Sequence, residues 1–341
     1  MGVDIGTLLT RRTISPASLR GKTLAVDANN MLYQFLALIR TPRGIPLKDD
    51  RGNVTSHLIG LMFRTSHLMS DYGILLIFVF DGRPPPLKGE EILKRRKVRE
   101  KAVREYKRAV EAGDYAKAFS KAVMTSRLSR ELAEDAKRLL SLLGIPYIQA
   151  PSEAEAQAAF MAKRGDVWAC NSRDYDSILF GAPRLVRYLT ISGRESLPSR
   201  GISRPLIPEL IQLDDVLSVL HLRREQLIDT AILIGTDFNN GVRGIGPKRG
   251  LDLIRRFGSI EDLPKSLREK VSSNYVEVRR IFLNPSVASE YDMRYSGLHE
   301  SELYDFLCDE RGFSRESVEI VVRRMRVFYS SFRQYDLSKW I

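Results

Sequence analysis

Cysteine and histidine are scarce in this sequence, and no long apolar run interrupts it. Cys170 and Cys308 are the only cysteines among 341 residues. One isolated pair builds neither a disulfide framework nor a zinc site, which leaves both as ordinary thiols. The four histidines, His57, His67, His221 and His299, show no HExxH or other ligand spacing, so hydrolytic chemistry has to rest on carboxylates. No stretch approaches the length of a membrane span, and nothing near the start combines a charged region, an apolar run and a small-residue cleavage site. The opening "MGVDIG" follows a myristoylation signal until Gly6, which stands where Ser or Thr is needed. The expectation is a soluble, cytoplasmic protein with no membrane partner. Positive charge, by contrast, is abundant: 54 Lys and Arg against 42 Asp and Glu give a formal charge of +12. That excess calls for an anionic partner, nucleic acid ahead of an acidic membrane surface.

Apolar runs at 22–27, 74–81, 145–150, 167–171 and 184–189 predict buried strands. Their continuous rather than alternating apolarity predicts a mostly parallel sheet covered on both faces. Helical patterns at 30–39, 54–70, 127–143 and 153–163 separate them, giving an α/β fold in which helices flank a central sheet. Residues 84–125 break this rhythm: "PPP" stops the second strand, and a helix crowded with Lys and Arg follows, interrupted at Gly113-Asp114. It is expected to be a helical insertion standing off the sheet, with Val98, Ala102, Tyr106 and Ala109 on one stripe. The organisation predicted is an α/β core over 1–213 including the insertion at about 84–125, a helical C-terminal region over 214–332 with a hairpin at about 239–250, and a tail at 333–341.

The acids fall at telling places. Asp27 ends the first strand, Asp81 the second, Glu153 and Glu155 follow the third, and Asp174 and Asp176 follow the fourth. Ligands of an open α/β sheet gather outside the carboxyl ends of its strands, so parallel strands bring these acids to one edge. Asp237, in "LIGTDFN", supplies a seventh. Singly, each has an ordinary explanation: a turn for Asp81, a helix cap for Asp174, a capping box of Ser152 with Glu155 in "SEAEAQ". Together these explanations fail, because clustered carboxylates repel and raise one another's pKa values. Oxygen-only ligands select hard divalent ions, Mg²⁺ with Mn²⁺ as a substitute, and seven acids exceed what one such ion uses. Two ions form the clamp of phosphodiester hydrolysis, one acting on the attacking water and the other on the leaving oxygen. Glu153 and Glu155, two apart, point to nearly opposite sides of a helix, so each is expected to serve a different ion while Ser152 caps the helix.

A metal-dependent phosphatase uses similar acids but has no need of the basic insertion, where Lys88 and Arg95 are close enough in sequence to Asp81 to act on a scissile phosphate. "GVRGIGPKRG", 241–250, is neither a P-loop nor a dinucleotide fingerprint. Its glycines, with Lys248 and Arg249 beside a helix start near Pro247, predict a helix-hairpin-helix grip on duplex phosphates.

"VDANNMLYQF", "VFDGRPP", "APSEAEAQ", "DYDSILF" and "LIGTDFNNGVRGIGPKR" resemble the structure-specific 5′ nuclease family, the XPG-like nucleases, and within it the archaeal flap endonucleases. The resemblance covers nearly the whole chain. It implies a PIN-like 5′ nuclease fold and a two-metal enzyme that cuts DNA with a 5′ flap near the junction. It also implies 5′–3′ exonuclease action on nicked or gapped duplexes, in replication (Okazaki fragment maturation) and repair. By it, Asp27, Asp81 and Glu153 hold the first ion, and Glu155, Asp174, Asp176 and Asp237 the second. Asp176, Lys88 and Arg95 are then catalytic, the two bases on a gateway helix of an arch over the site. Tyr33 is implied to stack on a base, while Arg40, Arg64 and Gly235, with Glu153 and Asp237, contact DNA. The hairpin at Gly244 and Gly246 is implied to hold duplex DNA with a K⁺ ion, and residues 41–57 to recognise a short 3′ flap. Loss of the initiator Met would leave Gly2 near the site. The final "QYDLSKWI" is similar to the motif that binds the sliding clamp (PCNA), with Gln334, Leu337 and Trp340 in place and Ile341 where a second aromatic is expected. The protein is expected to act as a monomer. Two alternatives stay open at this point: a non-catalytic DNA-binding or clamp-associated scaffold, and a related nuclease preferring RNA or Holliday junctions.

Overall fold

The continuous apolar runs do become the strands of a covered sheet. The structure, a computed structural model, describes residues 3–190, 194–197 and 202–337. The first half of the chain gives β1 (Arg12–Thr13), β2 (Thr23–Asp27), α1 (Ala28–Leu38), α2 (Ser56–Tyr72), β3 (Leu75–Phe80), α3 (Gly89–Glu111), α4 (Tyr115–Val123), α5 (Arg130–Leu142), β4 (Tyr147–Gln149), α6 (Ala154–Arg164) and β5 (Ala169–Asn171). Next come α7 (Asp176–Leu179), β6 (Arg184–Arg187), β7 (Arg194–Leu197), β8 (Ile202–Pro205) and β9 (Glu209–Gln212). The remainder is helical: α8 (Leu213–Leu220), α9 (Arg224–Ile234), α10 (Pro247–Phe257), α11 (Lys265–Arg268), α12 (Tyr275–Leu283), α13 (Glu300–Tyr304) and α14 (Arg315–Leu337). No helix among the described residues is long and apolar enough to cross a membrane.

Seven strands form one sheet in the order β1-β9-β6-β5-β2-β3-β4. β2 pairs in parallel with β3 and β5, β3 with β4 and β5 with β6, whereas β9 runs antiparallel to β6 and β1. β7 and β8 pair as a separate antiparallel ribbon. Neither the edge strand β1 and its neighbour β9 nor this ribbon was expected from the sequence, because they are short and rich in polar residues. The chain winds outward from β2 to β3 and β4, then returns through α6 to β5 and winds the other way to β6. The windings therefore part between β2 and β5, and a crevice opens there at the C-terminal edge of the strands.

Strand alternation feeds two cores. Leu24, Val26, Phe78 and Phe80 face Met31 and Phe35 of α1, Leu139 of α5 and Met325 of α14. Ala25, Ile77 and Val79 point the other way, to Ala158 and Met161 of α6, Ile228 of α9 and Phe282 of α12. Residues 284–299 connect these cores as a strap without helix or strand. Val287, Tyr291 and Met293 pack on the α9 side and Tyr295 and Leu298 on the α14 side. Gln157 holds the strap through both the amide and the carbonyl of Ala288, at 2.7 and 3.0 Å. The Tyr295 hydroxyl donates to the Leu76 carbonyl at 2.9 Å, and the Ser296 amide to that of Gly144 at 3.1 Å. Gly144 has φ +71°, and a Cβ on it would run into the carbonyl of Gly297, so glycine is required there.

The insertion is a helical hairpin. Ala102 and Ala109 of α3 bury against Ala118 and Ala122 of α4, small side chains that let the helices approach closely. Asp114 caps α4 by accepting from the Lys117 amide at 3.0 Å. Val98, expected on the buried stripe, is 45 % exposed, because α4 is too short to reach it.

His57, at the start of α2, is fully buried, and neither ring nitrogen has a hydrogen-bond partner among the described residues. Burial, with Arg311 nearby as a second cause, lowers its pKa to about 4. The folded protein thus binds the proton more weakly than the unfolded chain. Stability linked to His57 is complete above the unfolded pKa of about 6.5 and is lost as pH falls toward 4. Between pH 7 and 4.5, the urea-unfolding free energy of the protein should fall by roughly 2–3 kcal/mol more than that of His57→Leu. Parallel pH profiles would rule this out.

Candidate active site

Each acid reaches the crevice because a short element ends beside it. Asp27 closes β2 and caps α1, its Oδ1 accepting from the Asn30 amide at 2.9 Å. Asp81 follows β3 and accepts from the Ala154 amide, the first of α6, at 2.8 Å. That contact corrects the expected capping box. Glu153, not Ser152, occupies the cap position and makes no side-chain capping bond, so a residue from another strand satisfies the helix start. Glu155, in the first turn of α6, accepts from the Ser177 hydroxyl at 3.2 Å. Asp174 follows β5 and accepts from the Asn30 side-chain amide at 2.9 Å, and Asp176 opens α7 and accepts from the Val3 amide at 3.1 Å. Asp237, just beyond α9, completes the row. The structure thus brings all seven acids to one edge.

Their neighbours differ. Glu153 faces Lys88, Asp81 and Asp237, whereas Glu155 faces Asp176, Asp27 and Asp174. The two glutamates therefore look into different parts of the crevice, as their spacing on the helix demands.

The electrostatics follow from burial. Burial first, then Asp81, pushes Asp27 well above the usual carboxylate range. Burial, then Asp176 and Asp27, does the same to Glu155. Asp176 is pushed up to about 7 by burial and by the charges of Asp237 and Asp174. Two cations reach in from the base of the insertion. The Lys88 ammonium bonds Glu153 and lies 3.5 Å from Asp237, and the Arg95 guanidinium bonds both oxygens of Asp237 at 2.8 and 2.7 Å. Burial works against the charge on Lys88, yet Glu153, Asp237 and Asp81 outweigh it and hold its pKa above the ordinary lysine value. Glu90 adds a contact with Asn240 at 3.0 Å, so α3 is fastened to the loop after α9.

Among the described residues, no three Asp, Glu, His or Cys side chains stand in a ready ligating arrangement. Lys88 and Arg95 meet Glu153 and Asp237 instead, while Asp27 and Asp176, buried, and Glu155, half-buried, stand among like charges. An all-oxygen donor set crowded with negative charge fits hard divalent ions.

The other expected contact residues are spread around this row. Tyr33 is 38 % exposed on α1. The Arg40 guanidinium donates to the carbonyls of Leu36 and Gly44 and to the Ser126 hydroxyl, and that of Arg64 to the Leu189 carbonyl. Both cations thus donate within the protein and are half-buried. Gly235 links α9 to the hairpin with φ +113°. At Gly244 and Gly246 an added Cβ would meet nothing within 4 Å, so their backbone faces open space. Gly246 occupies the cap position of α10, Pro247 follows, and Lys248 and Arg249 are exposed beside it. Gln334 and Leu337 lie at the end of α14, while Trp340 and Ile341, like Met1 and Gly2, lie outside the described residues.

Three supports were missed from sequence: Asn30, the Val3 amide and Gly82. Asn30 stands three residues behind Asp27, where a helix presents donors to its own cap. Gly82 donates to the Ser152 carbonyl at 2.6 Å, and a Cβ on it would collide with the Ala150 carbonyl, so only glycine lets the Asp81 and Glu153 loops close up.

Comparison with known proteins agrees with this geometry. The XPG N-terminal domain profile matches residues 5–102 and the XPG I-region profile residues 144–237. Flap endonuclease 1 of Caldivirga maquilingensis is 49 % identical over 334 residues, 96 % of this chain and 95 % of that one. Flap endonuclease 1 of Pyrococcus horikoshii is 46 % identical over 341 residues, 100 % of this chain and 98 % of the relative. The solved flap endonuclease-1 of Methanococcus jannaschii superposes with a TM-score of 0.76 at 40 % identity, covering 97 % of this chain and 100 % of that one. With full-length identity at this level and the carboxylate row at the sheet edge, the chain belongs to the flap endonucleases of the XPG nuclease family.

Proposed function

We propose that this chain is a structure-specific 5′-flap endonuclease with 5′–3′ exonuclease action, hydrolysing DNA phosphodiesters near the flap junction with two divalent ions, Mg²⁺ foremost, in replication and repair. One observation carries the proposal: Asp27, Glu155 and Asp176 crowd together against their own repulsion, beside Glu153 and Asp237, which are met by cations from the base of a basic helical hairpin.

Asp27, Asp81 and Glu153 would hold one ion, and Glu155, Asp174, Asp176 and Asp237 the other. When bound, the ions supply the positive charge that ionises the attacking water and stabilises the leaving oxygen. Asn30 and the Val3 amide fix the orientation of Asp174 and Asp176. Lys88 and Arg95 hold charge at Glu153 and Asp237 and become available to the scissile phosphate once those carboxylates have other partners. The open glycines, Lys248 and Arg249 suit the phosphates of a duplex, with K⁺ as the expected ion at the hairpin. Tyr33 offers an exposed aromatic face for a base. The C-terminal motif at Gln334, Leu337, Trp340 and Ile341 would engage the sliding clamp, the enzyme acting as a monomer.

Labelled 5′-flap DNA with Mg²⁺ should be cut near the junction, and chelator should abolish the cut. Asp176→Asn should lower the single-turnover rate by on the order of 10²–10³-fold, since a ligand charge worth several kcal/mol is lost. Flap binding in chelator should persist. Undiminished product from Asp176→Asn would remove the metal assignment, and absence of cutting under all conditions would leave the scaffold reading.

Truncation before Gln334 should abolish association with the sliding clamp, measured by surface plasmon resonance, and spare basal flap cleavage. Equal affinity of the shortened chain would exclude the tail.

A further inference from the structure

Between Asp174 and Asp176 stands Tyr175, and a buried arginine grips it. The Arg187 guanidinium, 4 % exposed, lies 4.0 Å from the Tyr175 ring centroid and donates to its hydroxyl at 2.7 Å. It also donates to the Arg173 carbonyl at 2.8 Å, to Glu209 at 3.0 Å and to the Tyr188 hydroxyl at 2.9 Å. The Tyr188 ring centroid is 4.5 Å away. Such a set of bonds and ring contacts needs a planar fork with donors in fixed directions, which a lysine ammonium does not offer.

The sheet brings these groups together. Arg187 ends β6, and its register partner on β9 is Glu209, so the antiparallel strand supplies the counter-ion. β5, paired with β6, runs out into the turn that carries both acids. The Arg173 carbonyl and the Asp174 amide belong to one peptide group. Arg187 holds its oxygen, and the Ser172 hydroxyl accepts from its N–H at 3.2 Å, so the peptide entering Asp174 is fixed at both ends. A Cβ on Gly6 would stand 2.6 Å from the Tyr175 hydroxyl, so the N-terminal segment rests against that side chain. The same segment delivers the Val3 amide to Asp176. Arg11 fastens it by donating to the Gly6 carbonyl, 3.8 Å from Glu209.

Stability alone does not account for this arrangement. Well-packed apolar side chains serve a core as well as a buried ion pair or better. Tyr188 has φ +58°, a left-handed backbone that an aromatic residue adopts only under strain. Both features cost stability, and both converge on one turn.

We propose that Arg187 is a positioning residue of the metal site: through Tyr175 and the Arg173 carbonyl it sets the turn that presents Asp174 and Asp176 to their ion. The inference rests on the assignment of those two acids under the proposed function and adds the element that orients them. Partners that orient metal ligands typically govern metal affinity by about 10- to 100-fold.

The test is a calorimetric titration of Mn²⁺ into the full chain without DNA, with Asp176→Asn identifying the site that depends on these acids. That site should bind Mn²⁺ roughly tenfold more weakly in Arg187→Lys, which keeps the charge, and in Tyr175→Leu, which loses the ring. Tyr175→Phe, which keeps the ring, should stay within about threefold. In single turnover on 5′-flap DNA, the Mg²⁺ concentration for half-maximal rate should rise about tenfold in Arg187→Lys and Tyr175→Leu, while the rate at saturating Mg²⁺ falls less than about threefold. Flap affinity in chelator should not change. Melting temperatures report folding, and Phe328→Leu, a lesion in the α14-side core, should lower the melting temperature without moving Mn²⁺ affinity. Unaltered Mn²⁺ affinity in folded Arg187→Lys or Tyr175→Leu overturns the inference, as does an equal loss in Phe328→Leu. Unaltered Mn²⁺ binding in Asp176→Asn would instead overturn the metal assignment beneath it, so the two failures are separable.

Discussion

Mutual repulsion among Asp27, Glu155 and Asp176 is the constraint to which the surrounding structure answers. Each carboxylate receives a donor from a different element: the first turn of α1 for Asp27, a serine of α7 for Glu155, the N-terminal segment for Asp176. Asp81 draws on the start of α6, and Asp174 on the side chain of Asn30. Such hydrogen bonds lower the cost of a buried negative charge without removing it. The remainder is met by Lys88 and Arg95, which the helical hairpin carries to the outer acids. The sheet edge, the chain start and the hairpin are thereby bound into one electrostatic unit.

That coupling gives the hairpin a second meaning. The hairpin is rich in cations, and the two at its base, Lys88 and Arg95, are held by carboxylates of the site. A cationic side chain and a divalent ion are competing answers to the same negative charge. DNA and metal arriving together remove the competition, since phosphate can take the side chains while the ions take the acids.

Much of this was legible in the sequence, for physical reasons. β2 and β3 in the middle of the sheet are apolar almost throughout because helices cover both faces, and a covered strand leaves a pattern that no surface strand shares. The acids could be gathered because parallel strands place their carboxyl ends together. What escaped notice depended on distant partners. β1 and β9 are short antiparallel strands whose polar residues carry no strand signal, and the start of α6 is satisfied by Asp81, 73 positions away, which no local capping pattern reveals. Arg40 and Arg64 are basic residues in a basic protein, and only tertiary structure shows that they hold backbone carbonyls. Val98 lies on the same helical stripe as Ala102 but beyond the reach of α4.

The strap at residues 284–299 joins the two cores, packing on the α9 side through Val287, Tyr291 and Met293 and on the α14 side through Tyr295 and Leu298. Tyr295 fastens it near the start of β3, and Gln157, two residues beyond Glu155, fastens it at Ala288. The helix that carries two of the acids is therefore also the one the strap grips, so the joint between the cores and the footing of Glu153 and Glu155 are the same piece of structure.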